Sequence, residues 1–213
     1  MGRSDIHLVT DSNEVDQQFR GVMRRLAGGV SIITAGRDED VTGMTVTSLT
    51  SLSASPPRLL VSVNRQASSF VPIERHRVFG VNILGSDQQG LASRFRNGRL
   101  KGAQRYEGGA WRAGVSGVPL LGNSLATVEC QVEEIIERYS HGIIVGSILR
   151  STITEATSAH WSICMLTWLQ RSDGPKPAHS ATSSAASRRR NGRRSTQPLR
   201  RWLRRSGLPR ACA

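Results

Sequence analysis

Short stretches in which apolar and polar residues alternate fill much of the first 160 positions, and a period of two marks a half-buried strand. VSIITAG (30–36) predicts one strand and GRDEDVTG the turn out of it. MTVTSLTSLS (44–53) sets Met44, Val46, Leu49 and Leu52 among hydroxyl residues, a strand with a phase slip near Ser48. Pro56-Pro57 punctuates the chain before RLLVSVN (58–64), and VFGVNIL (78–84) follows the same pattern. SLATVECQVEEIIE (124–137) sets Ala126, Val128, Cys130 and Val132 against Leu125, Thr127, Glu129 and Gln131, a long strand with one buried face. HGIIVGSILRSTI (141–153) predicts one more strand.

The period changes in three places. In EVDQQFRGVMRRLA (14–27), Val15, Phe19, Val22, Met23 and Leu26 share one helical face, which Gly28-Gly29 stops. SSFVPIERH predicts a short helix, and DQQGLASRF (87–95) another with Leu91 and Phe95 four apart. A polar, glycine-rich excursion (97–118) carries Tyr106 and Trp111, which suit a hydrophobic lid or a subunit contact. Five or six strands at short spacing with two or three small helices define a mainly β fold, a closed antiparallel barrel.

Composition divides the chain in two. Residues 171–213 hold twelve basic side chains against the single acid Asp173, and so carry eleven of the thirteen net positive charges. Serine, alanine, arginine and proline dominate there without apolar periodicity, so the segment cannot bury enough surface to offset its ordering entropy. The expected organisation is a flexible segment 1–13, a domain over 14–165 and a disordered basic tail over 171–213. No run of about 18 apolar residues predicts a membrane-spanning helix, and the polar segment 1–19 lacks the apolar core of a signal peptide. Cys130, Cys164 and Cys212 have no metal-type spacing, and Cys130 fits a buried thiol. A reducing cytoplasm is the expected compartment.

Chemistry concentrates in one place. Thr45, Thr47, Ser48, Thr50, Ser51, Ser53 and Ser55 follow Gly43 closely. Small side chains on successive strand positions let a planar ligand approach the backbone, and hydroxyls and free amides can hold phosphate or ring carbonyls. An ordinary Ser/Thr-rich strand has the same composition. Neither a GxGxxG nor a GxxxxGK motif occurs, and no Ser-His-Asp or Cys-His triad is apparent. Glu133, Glu134 and Glu137 suit a solvated edge better than an acid pair.

Five blocks taken in order resemble the flavin reductase family, FMN-binding split barrels that include reductase components of two-component flavin monooxygenases. They are FRGVMRRLAGGVSIITA, GMTVTSLTSLSASPPRLLVSVN, FGVNILGSDQQGLASRF, GVPLLGNSLATVECQV and SHGIIVG, covering roughly residues 14–160. The resemblance implies a homodimer with FMN or FAD bound near the subunit interface and NADH or NADPH as hydride donor. It implies that Thr45, Val46, Thr47 and Ser48 line the isoalloxazine and ribityl chain, that Asn64 and Ser68 lie near the phosphate, and that Asn82 and Gln88 close the site. His141 matches the family's Gly-Asp-His-Thr histidine, where nicotinamide docks, although its neighbours here are Ser140 and Gly142. For His141 the alternative is a loop histidine without a task, and for Asn82 a residue that satisfies a turn.

The implied activity is reduction of FMN or FAD by NAD(P)H, with the product serving a partner monooxygenase. The end of the domain departs from the family, whose closing strand resembles Leu-Val-Tyr-aromatic-His/Arg-Gly-x-Tyr, where this chain has AHWSICMLTW. One choice of codons for His160 to Met165 encodes Leu-Val-Tyr-Leu-His in another frame, so a frameshift near residue 159 or 160 would account for both the altered strand and the arginine-rich tail, with a selected basic tail as the rival reading. Two alternatives stand beside the reductase: a flavin-binding protein with little turnover, and a tail that binds nucleic acid or anionic lipid. Deleting residues 171–213 is expected to leave flavin binding unchanged, read by flavin fluorescence titration, and limited proteolysis should cut that tail first. Loss of flavin binding on removing the tail alone would make its arginines functional.

Overall fold

The phase slip at Ser48 is where the fold is decided. Val46 and Leu49 both pack into the main core, three residues apart, and a strand of period two cannot aim both at one side. In a computed structural model, which describes residues 12–154 and the backbone of 162–164, the run 44–53 is accordingly two strands rather than one. Before it come α1 (Ser12–Met23), β1 (Ala27–Gly29) and β2 (Ser31–Ala35); the run itself gives β3 (Thr42–Val46) and β4 (Leu49–Ala54). Then follow β5 (Pro57–Asn64), α2 (Phe70–His76), β6 (Val78–Ile83) and α3 (Gln89–Arg96). A small hairpin, β7 (Trp111–Ala113) and β8 (Pro119–Leu121), precedes the long strands β9 (Ala126–Arg138) and β10 (His141–Ile153), and β11 covers Ser162–Cys164.

Seven of the strands form one sheet in the order β3-β2-β6-β9-β10-β5-β4, with antiparallel pairing throughout. Its two edges are β3 and β4, joined by Thr47 and Ser48 alone. Laid flat, the sheet would separate its edges by six strand spacings, about 29 Å. The three Cα steps from Val46 to Leu49 reach about 11 Å at most. The sheet therefore bends until its edges approach, and all seven strands contribute to one core, from Ile33 on β2 and Val46 on β3 to Leu49, Val61, Phe79, Cys130 and Ile144. Phe70 and Ile73 of α2 plug the same core.

Other expectations from the pattern are modified. The first half of strand β9 is covered on both faces, because the β7–β8 hairpin and its loop lie over the polar one: Thr127 and Glu129 are buried, as Cys130 is. The covering loop makes this tolerable, since the Glu129 carboxylate accepts the backbone N–H groups of Val115, at 2.9 Å, and Ser116. The Cys130 thiol is pushed up to about 12 by burial and then by the charge of Glu129, so it is inert. Glu133 and Glu137 are surface residues paired with Arg58 and Arg65, contacts worth little individually.

Among the described residues, Ser12–Gly28 and Ser162–Cys164 belong to one compact unit and Gly29–Thr154 to another. Helix α1 ends at Met23, earlier than Gly28 predicts, and its residues Val15, Phe19 and Val22 are exposed. Ser162–Cys164 pairs with β1 in a two-stranded sheet, so among the described residues nothing after Ile153 joins the seven-stranded sheet. The rest of AHWSICMLTW, the N-terminal segment to residue 11 and the tail 171–213 lie outside the described residues.

An acid-sensitive tie fastens the turn before β3 to α2. Asp40 accepts the Arg37 N–H at 2.8 Å, meets His76 Nε2 at 2.6 Å and has Arg75 at 3.6 Å. Partial burial pushes its carboxyl up, but the His76 hydrogen bond, the Arg37 amide and the charges of His76 and Arg75 outweigh that and leave it below the ordinary 3.8. A carboxyl depressed in the folded state stabilises above its unfolded value, and this contribution fades as pH falls through the folded value. Thermal melts from pH 6 to about pH 3 should therefore show a stability loss that is shallower in His76→Ala. Parallel curves for the two proteins would remove the tie from the account.

Candidate functional site

Strand β3 is an edge strand, so one of its sides pairs with β2 and the other with no strand. Two contacts hold that open side beside the segment that leaves β5. At one end Ser48 Oγ donates to the Ser62 carbonyl at 2.8 Å, and at the other Thr42 Oγ1 and Ser68 Oγ lie 3.2 Å apart. Ser62 and Asn64 are two residues apart on β5, hence on the same face and about 7 Å apart. Asn64 in turn stands directly opposite His141 at the start of β10. The register thus brings Thr45, Thr47, Ser48, Asn64, Ser68 and His141 into one neighbourhood, although they span almost a hundred positions of sequence.

Several of these residues have contacts that fix the backbone around them. Thr45 Oγ1 donates to the Ala92 carbonyl at 2.6 Å, which seats β3 against α3. Val46 is buried in the core, so only its backbone can face a ligand. Asn64 Oδ1 accepts the Gln66 N–H at 2.9 Å and shapes the turn that presents Ser68. His141 is exposed at the β9–β10 turn, with Nδ1 2.8 Å from Ser140 Oγ. Gly43 is constrained from two sides: a Cβ there would lie 2.7 Å from the Phe95 ring and 2.7 Å from the Ile33 carbonyl oxygen.

Asn82 and Gln88 are committed elsewhere. Asn82 is fully buried; its amide donates to the Ile32 carbonyl at 3.0 Å and accepts the Leu121 N–H at 2.6 Å, joining β6 to β2 and β8. Gln88 accepts the Gly85 N–H at 3.0 Å and donates to the Asn123 carbonyl at 2.9 Å, closing the turn between β6 and α3. Both hydrogen-bond within the scaffold through the oxygen and the nitrogen of their amides.

Two residues of the excursion fasten the other end of β3. Arg105 is buried and donates to the Gly43 and Leu100 carbonyls, and the Tyr106 hydroxyl donates to the Thr42 carbonyl. Burial lowers the Arg105 guanidinium, an effect Tyr106 only partly offsets, and burial raises the Tyr106 phenol well above its ordinary value despite Arg105. Tyr106 also packs edge-on to Phe95 and Trp111, with centroids 5.0 and 4.9 Å away. Tyr106 and Trp111 are thus buried pillars beneath β3. Arg105 carries no signal in the sequence, because nothing in a glycine-rich loop distinguishes a buried arginine from a solvated one.

Known proteins resemble the chain over most of its described length. The flavin reductase like domain matches residues 23–173, and the chain belongs to that family. It is 32% identical over 161 residues to the FMN reductase (NADH) RutF of Escherichia coli, covering 75% of this chain and 94% of the relative. Among solved structures, the NADH:FAD oxidoreductase of Streptomyces globisporus superposes with a TM-score of 0.65 at 27% identity, covering 75% of this chain and 94% of that one. BorF, the flavin reductase component of a bacterial two-component tryptophan halogenase, does so with a TM-score of 0.62 at 30% identity, covering 66% and 89%.

Replacing Asn82 tests its assignment to the scaffold. Asn82→Ala strands the Leu121 N–H and the Ile32 carbonyl and should cost about 1–3 kcal/mol in denaturant unfolding. Flavin affinity of the folded fraction should stay unchanged. A stable variant with weakened flavin binding would return Asn82 to the ligand.

Proposed function

We propose that this protein is an NAD(P)H:flavin oxidoreductase that reduces FMN or FAD and hands it to a flavin-dependent monooxygenase or halogenase. The carrying observation is the side of β3 that no strand pairs, flanked by the Ser48–Ser62 and Thr42–Ser68 contacts. Unpaired strand backbone beside small hydroxyl residues suits a flat heterocycle rimmed with carbonyls and ring nitrogens. Family membership and the activities of the relatives, FMN reductase (NADH) and NADH:FAD oxidoreductase, support the same reading. BorF, which serves a two-component tryptophan halogenase, supports a two-component partnership. From the resemblance we also infer a split barrel and a homodimer with the site near the subunit interface.

The bound flavin supplies the two-electron acceptor chemistry, and nicotinamide the donor. The chain contributes position. Backbone of 45–48 and the Thr47 side chain would hold the ring, while Asn64 and Ser68 would hold the phosphate end. Thr45 and Ser48 keep their hydroxyls on Ala92 and Ser62 and thereby fix the strand that presents the amides. His141, opposite Asn64 and exposed, would steady the nicotinamide against that ring. Fixing two reactants in near-attack geometry is the main service a protein renders to such a transfer.

A second reading, flavin binding with little turnover, is favoured by one observation: among the described residues no strand after Ile153 joins the main sheet. Steady-state NAD(P)H oxidation with added FMN separates the two, and a protein that binds FMN without oxidising NADH or NADPH would establish the second.

Within the first reading, Thr47→Leu and Ser48→Leu should abolish the flavin fluorescence change by filling the approach to β3. A titration identical to that of wild type would put the site elsewhere. His141→Ala should weaken turnover or the apparent affinity for NAD(P)H by about tenfold with flavin binding intact. Equal loss of both would make His141 a structural residue.

A further inference from the structure

The β9–β10 ladder carries a second polar site, at the end remote from His141. The pairing shifts by one residue at Leu149, so that Arg150 stands opposite Glu129 and Thr152 opposite Thr127. Without that bulge the aliphatic Leu149 would oppose the buried carboxylate. Ile148 and Cys130, the preceding pair, belong to the main core, and Glu129 and Thr127 lie on the opposite face of β9. Over that face sits the β7–β8 hairpin, and between them opens a cavity of about 120 Å³ bounded by Arg112, Leu120, Thr127, Glu129, Arg150 and Thr152.

The charges in this cavity are unbalanced. Glu129 is fully buried and spends its oxygens on the Val115 and Ser116 amides. That clamp is tight, because a Cβ at Gly114 would lie 2.6 Å from a Glu129 oxygen. Among the described residues neither the Arg112 nor the Arg150 side chain has a hydrogen bond or an ion pair, and both residues are exposed. Two guanidinium groups thus border one small cavity with a single carboxylate behind them, leaving one net positive charge and two unused planar donor forks. Such forks match the tetrahedral or planar oxygens of phosphate and related oxyanions. A cavity of roughly 150 Å³ holds a benzene molecule, so this one has room for a phosphate group but not for a flavin or a nucleoside.

We propose that the cavity binds a phosphate-class oxyanion between Arg112 and Arg150, with the hydroxyls of Thr127 and Thr152 as further donors. The site is separate from the reductase site: Arg150 is nine residue steps along β10 from His141, about 30 Å of extended strand. It stands whether or not the flavin reading does. The ligand is either free phosphate or the phosphate of a small monoester that projects into solvent.

The basic tail would mask binding in any bulk measurement, so the readout must be residue-specific. The full chain is treated with phenylglyoxal, and modification of Arg112 and Arg150 is followed by peptide mass spectrometry in potassium phosphate, in AMP, and in potassium chloride of equal ionic strength. Phosphate should protect both arginines where chloride does not. Arg150→Gln should weaken protection of Arg112 by about tenfold, as Arg112→Gln should for Arg150, because each removes a charged hydrogen-bonding group. Protection by AMP as well as phosphate assigns a monoester, and protection by phosphate alone assigns the free ion. No protection by either, or protection of one arginine that is indifferent to loss of the other, overturns the proposal. Because protection is measured on the unmodified sequence, it decides the question even if a variant misfolds.

Discussion

Two residues, Thr47 and Ser48, carry the chain from one edge of a seven-stranded sheet to the other, and the fold follows from how little they can span. A flat sheet would hold those edges far beyond their reach, so the sheet has to bend, and bending turns one face of every strand toward a common interior. Val46 and Leu49 enter that interior from either side of the crossover. The same constraint makes β3 and β4 the free edges. The open side of β3 is therefore a consequence of closure.

Around that strand the molecule invests its polar contacts in position. Thr42, Gly43, Thr45 and Ser48 are each tied to a different part of the chain, through Tyr106 and Ser68, Arg105, Ala92 and Ser62 respectively. Gly43 admits the Phe95 ring where any side chain would collide. These ties fix the backbone of β3 from several directions, an arrangement suited to chemistry supplied by cofactors. Asn82 and Gln88 belong to the same supporting layer.

The ladder β9–β10 then links two polar regions of different character. Near its turn stands the exposed His141 opposite Asn64. Toward its other end a one-residue bulge exchanges Leu149 for Arg150 opposite Glu129. Without that shift the hairpin β7–β8 would cover an aliphatic face, and the small cavity would have one arginine at its rim instead of two.

By itself the sequence determined the strands, because alternation is local and survives whatever the partners are: the runs 30–36, 58–64, 78–84, 124–137 and 141–153 are all strands. The hydroxyl-rich run and the order of the five blocks were equally legible, and with them the flavin reductase family. Tertiary structure alone decided that the run 44–53 is two strands at opposite edges, since a phase slip reads the same for a bulge and for a crossover. It alone decided that Asn82 is a crosslink and Arg105 an anchor, since a side chain's partners across 40 or 60 positions depend on register. The burial of Glu129 was likewise invisible: alternation assigns a residue to a face of its strand, and only the packing of a hairpin over that face decides whether water reaches it.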